Sequence, residues 1–287
     1  MIDFEQRFND YRAYINEKLA AYVATDGSKI CDSMNYSVMA GGKRIRPVLA
    51  LECCRLCCGD YKKATAFACA LEIIHSYSLI YDDLPCMDND DYRRGRLTNH
   101  KVYGEGMAVL AGDALLTDAF AVATRTELPE PGKIGEAIGV LSECAGSLGM
   151  IGGQVLDIMS EQRQCTKQEV LDIQSRKTGR LITAPCVLGV IAGDGTEAQK
   201  EAAARFAALL GLAFQIRDDM LDVIGSQAEL GKATGMDAEK NTFVRLYGLD
   251  KCGELVERYT QEAIAALDAF EEKDYLVALA KSLTDRR

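Results

Sequence analysis

The amino-acid sequence predicts an all-α protein, a single large helical bundle with its site in the central cavity. Three observations lead there. Apolar residues recur at spacings of three and four, glycines and prolines punctuate those stretches, and alternating strand patterns are essentially absent. With 287 residues, 48% of them hydrophobic, the chain can bury a large core.

In order along the chain, Phe4, Phe8, Tyr11, Ile15, Leu19 and Tyr22 predict an amphipathic helix over 3–24, ended by Asp26-Gly27-Ser28. A short helix over 32–39 stops at Gly41-Gly42, and Pro47 opens the next where its missing donor costs nothing. Between them Lys43-Arg44-Ile45-Arg46 is a basic hook, either a solvated turn or an anion-binding nest. Residues 62–84 are apolar enough for a buried helix, and Arg93-Arg94-Gly95-Arg96-Leu97-Thr98-Asn99-His100 reads as a loop that returns positive charge. Helices follow over 105–127, 133–160 and 167–192, the last kinked at Pro185. Pro129-Glu130-Pro131-Gly132 is the best boundary between halves, although it is a connector and not a domain linker. An Ala-rich helix spans 197–224, a charged, mobile connector 226–240, and helices over 242–247, 250–270 and 274–283 finish the chain.

The formal charge of -10 argues against a nucleic-acid surface and an anionic membrane face. Residues 1–10 have no apolar leader core, and no run of 18 uninterrupted apolar residues appears, so a cytoplasmic protein without stable membrane insertion is expected. Eleven cysteines suit a reduced interior. Cys53-Cys54-Arg-Leu-Cys57-Cys58 contains overlapping CxxC spacings. With no second CxxC and no clustered His, it reads as i, i+4 helix packing and not as zinc.

The chemistry concentrates in Asp82-Asp83-Leu-Pro-Cys-Met-Asp88-Asn-Asp90-Asp91-Tyr-Arg93-Arg94-Gly. Two carboxylates about 4 Å apart repel by roughly 4 kcal/mol at an effective dielectric near 20, so a converging cluster needs cations. On an unbroken helix Asp82 and Asp88 would face apart, but Pro85 blocks that helix, and a two-residue bulge around Pro85 and Cys86 would return Asp88 beside Asp82. Downstream, Asp218 and Asp222 share a helical face, with Asp219 between them. Two acidic faces, one per half, imply one shared site. All-oxygen donors select a hard ion such as Mg²⁺ over Zn²⁺. No nucleophile arrangement and no Walker loop appears, so carboxylates to hold metal, cations to hold phosphate and an apolar interior remain. Those parts suit departure of a metal-clamped diphosphate that leaves a carbocation in a dry cavity.

The motifs GGKRIRP (41–47), DDLPCMDNDDYRRG (82–95), AGDALL (111–116), GGQVLD (152–157), KTG (177–179) and FQIRDDMLD (214–222) carry a resemblance. From about Met34 to the C-terminus the chain resembles short-chain trans-isoprenyl diphosphate synthases, most of all the bacterial farnesyl type. The resemblance implies one isoprenoid-synthase domain over 1–287, usually homodimeric. It implies condensation of isopentenyl diphosphate with an allylic diphosphate, dimethylallyl or geranyl, assisted by about three Mg²⁺ ions. By the same resemblance Asp82, Asp83, Asp88, Asp218, Asp219 and Asp222 form the two aspartate motifs, with Asp82, Asp88 and Asp218 as direct ligands. Arg93, Lys177 and Lys232 match residues that contact the allylic diphosphate, and Lys43, Arg46, His75 and Arg94 match those that hold isopentenyl diphosphate. Arg286-Arg287 would close over the latter, and Lys240 reads equally as a surface lysine or a phosphate contact. Thr178 and Gln215 would point oxygen dipoles at the allylic cation, and released pyrophosphate would take the proton. Gln154 and Asp157 read as helix-packing residues.

Product length is read from Tyr77 and Ser78, about one turn before Asp82, where a phenol would form a floor. With the two-residue insertion this resembles the bacterial farnesyl pattern and gives C15. The DDLPCMDNDD wording is shared with plastid-type geranylgeranyl synthases, which keeps C20 open, with C10 a further alternative. Tyr81 stands where relatives often have histidine, and Leu97 replaces a usual proline. A non-catalytic regulatory partner would have lost aspartates, and none is lost. A class I terpene cyclase would not need GGKRIRP and Arg94.

Overall fold

A computed structural model describes residues 3–130, 132–161, 163–230 and 242–285. Lys232, Lys240, Arg286 and Arg287 lie outside the described residues. The described chain is almost entirely helical, as its periodicity predicts.

Local caps decide where the helices begin. α1 (Phe4–Tyr22) starts at Asp3, whose carboxylate accepts the Gln6 N–H at 3.1 Å. α2 (Lys29–Val38) begins earlier than expected, because Ser28 belongs to its start and accepts the Cys31 N–H at 3.4 Å. α3 (Ile45–Cys58) holds Pro47 in its first turn, where no intrahelical donor is required. α4 (Thr65–Asp82) is buried along most of its length. The expected loop after it contains a hairpin of β1 (Tyr92–Arg93) and β2 (Arg96–Leu97). Arg94 and Gly95 form its turn with φ of 55° and 74°, the hand that matches strand twist. Strands of two residues are too short to leave an alternating pattern.

α5 (Asn99–Tyr103) and α6 (Glu105–Ala123) follow. The helix expected over 133–160 is two, α7 (Gly132–Ala145) and α8 (Met150–Ser160). Gly149 allows the break: a Cβ there would overlap the Cys144 carbonyl, so the chain can fold back onto the end of α7 only at glycine. The helix expected over 167–192 is also divided. α9 (Lys167–Gln174), begun by a Thr166/Glu169 capping box, passes into a π turn, Ser175–Gly179, before α10 (Arg180–Ala192). α11 (Glu197–Leu230) outruns the expected 197–224, so the connector read over 226–240 is helical as far as Leu230. Residues 231–241 lie outside the described residues. α12 (Phe243–Tyr247), α13 (Leu249–Ala266) and α14 (Asp274–Thr284) complete the order.

The chain divides into two compact units, Met1–Leu141 with Leu188–Gly195, and Ser142–Val187 with Thr196–Arg287. The passage between them falls within α7 and not at residues 129–132. That Pro- and Gly-containing connector ends a helix without ending a packed unit.

In the first unit two glutamates are buried among apolar neighbours. Glu52 accepts from the Tyr11 hydroxyl at 2.7 Å and from Arg55 at 2.9 Å. Glu72 pairs with Arg44 at 2.6 Å, and that guanidinium also donates to Asn16 at 3.0 Å and to the Val38 carbonyl at 2.7 Å. Full hydrogen bonding is the condition on which such a pair persists out of water. In the cysteine run on α3, Cys53 and Cys54 are buried, Cys57 is half-buried and Cys58 is exposed. Gly193 lies against it, where a Cβ would stand 2.7 Å from Cys57 Cβ and 2.8 Å from the Cys54 carbonyl. In the second unit Val170, Ile173, Ile216, Phe243, Cys252 and Val256 form a core. By length and composition Tyr61–Asp82, Glu105–Ala123 and Gly132–Ser160 could each cross a membrane; in the first, 78% of the apolar window is buried, which marks it as a core helix.

The buried pair sets a prediction. Glu72→Gln leaves the Arg44 charge uncompensated, and urea unfolding should record a loss of about 3–5 kcal/mol. A loss below about 1 kcal/mol would mean that the pair does not anchor the hook to α4.

Candidate active site

α4 delivers the first aspartates at its C-terminal end, and the turn after it brings the third back. The Asp88 N–H donates to the Asp82 carbonyl at 2.9 Å, while Met87 and Asn89 N–H groups close on the Leu84 carbonyl at 2.9 and 3.1 Å. This is the bulge that Pro85 predicts. Asp88 is exposed and Asp82 half-buried, whereas Asp83 faces inward and accepts from Arg93 Nε at 2.6 Å. Burial raises the Asp83 carboxyl above its ordinary range, and the Arg93 contact opposes this. Asp83, grouped above with the metal carboxylates, therefore positions an arginine.

The same unit gathers cations around His75. The Arg94 guanidinium donates to the Gly41 carbonyl and lies across Gly42, where a Cβ would stand 2.8 Å from Arg94 Cζ. Gly42 also has φ 127°, so both space and conformation call for glycine. Arg46 Nε is buried without a hydrogen-bond partner. Burial lowers the Arg46 and Arg94 guanidiniums from their ordinary range, and Glu72 opposes the shift. Lys43 is exposed. Four guanidiniums face two buried carboxylates, Glu72 and Asp83, so positive charge is in surplus. His75 is held well below the usual histidine range, first by burial and then by Arg46, Arg94, Arg44 and Arg93. An anion would complete such a cluster.

Below the aspartates on α4, Ser78 donates to the His75 carbonyl at 2.9 Å. Tyr77 is buried, its hydroxyl without a partner and its pKa pushed up to about 12, first by burial and then by Asp82. Its ring meets Tyr81 edge-on, centroids 5.7 Å apart. Tyr81 crosses α6 at Gly112, where a Cβ would overlap the ring, and its hydroxyl rests against Asp113.

In the second unit the π turn presents Lys177 and Thr178. Gly153 on α8 makes room for it, since a Cβ there would overlap the Lys177 backbone nitrogen. Lys177 Nζ pairs with Asp157 at 2.6 Å, so Asp157 holds a site lysine as well as packing its helix. The Thr178 hydroxyl donates to Gln215 Oε1 at 3.1 Å, the Gln215 amide donates to Asp219 Oδ1 at 3.1 Å, and Asp219 Oδ2 accepts the Phe243 N–H at 2.8 Å. Burial pushes the Asp219 carboxyl up to about 6, against those two bonds. Like Asp83, Asp219 faces inward; Asp218 is half-buried and Asp222 exposed.

Among the described residues no three His, Cys, Asp or Glu side chains already converge as a metal site. The donors nevertheless fit a hard divalent cation. They are carboxylate oxygens, and the Asp88 N–H bond to the Asp82 carbonyl returns the Asp88 backbone to the end of α4. The sequence reading gave Arg44 only as part of the basic hook and missed its pairing with Glu72, the Tyr81–Asp113 contact and the π turn. Glu72, a lone charge in an apolar helix, was the available sign that a buried cation had to be nearby.

Residues 28–279 match the family model described as polyprenyl synthetase. A chloroplastic geranylgeranyl pyrophosphate synthase from Capsicum annuum is 42% identical, over 98% of this chain and 80% of that protein. A dimethylallyltranstransferase from Fischerella ambigua is 44% identical, over 98% of this chain and 85% of its own. The crystal structure of an FPP/GFPP synthase from Zymomonas mobilis superposes with a TM-score of 0.89 at 32% identity, over 98% of this chain and 99% of that one.

Burial, and after it the surrounding arginines, lowers the titration of His75. The unfolded chain takes a proton near pH 6.5 and the folded chain only well below, so the unfolded state binds more protons in that interval and stability falls as pH drops below about 6.5. The chain has two histidines. NMR titration should therefore show one imidazole that stays neutral through pH 6; an ordinary histidine value at position 75 would contradict the cluster.

Proposed function

As the chain belongs to the polyprenyl synthetase family and is a trans-prenyl diphosphate synthase, we propose that it makes geranylgeranyl diphosphate (C20) by successive head-to-tail additions of isopentenyl diphosphate to an allylic diphosphate. The observation that carries the C20 product is the 42% identity with the Capsicum annuum geranylgeranyl synthase. It favours C20 over the C15 expectation drawn from Tyr77 and the two-residue insertion. Farnesyl diphosphate is the second reading, favoured by the FPP/GFPP synthase from Zymomonas mobilis.

In this reading Asp82 and Asp88 of the first motif, and Asp218 and Asp222 of the second, would hold about three Mg²⁺ ions, and those ions would supply a grip on the allylic diphosphate and carry charge that develops on the leaving group. Arg93, oriented by Asp83, and Lys177, oriented by Asp157, bind the same diphosphate directly. Lys232 and Lys240 join them in the proposal. Lys43, Arg46, Arg94 and His75 take isopentenyl diphosphate, and the orphaned Arg46 Nε supports an anion there. When the allylic C–O bond breaks, the electron pair leaves with diphosphate. Oxygens of Thr178 and Gln215, fixed by their mutual hydrogen bond, face the cation without reorganising. A new C–C bond to isopentenyl diphosphate then forms, and the proton it sheds goes to the departed pyrophosphate. Tyr77 and Tyr81 limit chain length at C20. We assign a homodimer, with the apolar residues that α8 exposes, Val155, Ile158 and Met159 among them, as surface to be covered.

Incubation of the protein with Mg²⁺, isopentenyl diphosphate and geranyl diphosphate, followed by chromatography of the dephosphorylated products, should give mainly the C20 alcohol. A dominant C15 alcohol overturns the product, and no elongation overturns the activity. Tyr77→Ala should shift the products beyond C20, and an unchanged distribution would remove Tyr77 as a limit. Gly153→Ala displaces the Lys177 backbone, so kcat should fall by about a hundredfold while helical content is retained; undiminished turnover would show that the π turn does not position Lys177.

A further inference from the structure

The hairpin that presents Arg93 and Arg94 has two residues per strand, and every residue of it except Arg93 is exposed. A two-stranded hairpin is marginal in water by itself, so a neighbouring element must fix where its turn points. A cavity of about 30 Å³ lies between it and α4, lined on the α4 side by Ser76, Leu79 and Ile80, so packing there is incomplete.

The support comes from one face of α2, where Ser33, Tyr36 and Ser37 stand at i, i+3 and i+4. The Tyr36 hydroxyl donates to the Leu97 carbonyl at 2.7 Å. The Arg96 guanidinium stands 4.2 Å from the centroid of the Tyr36 ring, within the range of a cation–π contact. Tyr36 thus reaches both residues of β2. The ring is itself held in place: Tyr103 meets it edge-on, centroids 5.6 Å apart, and the Tyr103 hydroxyl donates to the Asp32 carbonyl at 3.4 Å. Just past the hairpin the buried Asn99 donates to the Ser33 carbonyl at 2.9 Å and to the Ser37 hydroxyl at 2.8 Å, which docks the same segment on the same face.

β2 pairs with β1 through Arg96 and Arg93, and Arg94 and Gly95 form the turn between them. The place of Arg94 is therefore inherited from β2. Arg93 has an anchor of its own in Asp83, at 2.6 Å, whereas Arg94 rests on the carbonyl of Gly41, three residues beyond the end of α2. α2 is the frame for both the arginine and the hook that it meets.

We propose that Tyr36 is a positioning residue for isopentenyl diphosphate: by holding β2 it aims the Arg94 guanidinium at that diphosphate. This rests on the assignment of Arg94 made above, and Tyr36 itself touches no substrate. A guanidinium on a turn that is free to swing would lose affinity through misplacement, with its charge intact.

Calorimetric titration of the full-length protein with isopentenyl diphosphate and Mg²⁺, with no allylic primer present, reads that affinity without turnover. Tyr36→Leu should raise Kd by about tenfold, and Tyr36→Phe, which keeps the ring and loses only the hydroxyl, by about threefold. Tyr36→Phe carries the test alone if the leucine variant does not fold. Kd for a thiolo analogue of geranyl diphosphate should change by less than about twofold in either variant, because Arg93 keeps Asp83. In an Arg94→Gln background the Tyr36 changes should add no further loss, since both act on one contact. An unchanged Kd for isopentenyl diphosphate, an equal loss for both ligands, or full additivity with Arg94→Gln overturns the positioning role alone. No binding of isopentenyl diphosphate by the unaltered protein overturns the assignment of Arg94 as well.

Discussion

The Arg44–Glu72 ion pair, 2.6 Å long and shut off from solvent, is the constraint on which the basic face of the first unit depends. Guanidiniums a few ångströms apart repel by roughly 4 kcal/mol per pair at an effective dielectric near 20. Glu72 ties the 41–46 hook to α4 and offsets part of that repulsion, while Asp83 does the same for Arg93. Compensation stops short of neutrality. Arg46 Nε has no acceptor, and His75 is kept from taking a proton first by burial and then by the surrounding arginines.

The second unit follows the same rule with a different carboxylate. Asp219 faces inward, and both its oxygens are used, by Gln215 and by the Phe243 N–H, which aligns Gln215 beneath Thr178. In each motif one aspartate thus faces inward and is hydrogen-bonded, while its neighbours are half-buried or exposed. Such a division is physically reasonable: a carboxylate that is buried and fully hydrogen-bonded is a poor partner for a cation that must come and go with substrate.

Much of this was legible in the sequence. The helices came from periodicity. The return of the Asp88 backbone to Asp82 came from Pro85. Features fixed by close tertiary approach were not legible. Gly149 and Gly153 look like ordinary helical glycines until the Cys144 carbonyl and the Lys177 backbone are seen against them. The π turn adds one residue to a turn without changing composition, and the hairpin at 92–97 is too short to alternate. The inward turn of Asp83 and Asp219 depends on Arg93 and Phe243, which no local pattern announces. Product length, C15 or C20, was not legible, because a wall aromatic and a two-residue insertion do not fix the depth of a pocket.

The central proposal is that the aspartate motifs take up Mg²⁺ together with a diphosphate. Calorimetric titration of Mg²⁺, with and without an unreactive thiolo analogue of an allylic diphosphate, tests it most directly, with Asp82→Asn and Asp218→Asn as comparisons. The account predicts uptake of about three ions only in the presence of the analogue, with most of it lost in either variant. Tight Mg²⁺ binding without the analogue, or full uptake by either variant, would contradict it.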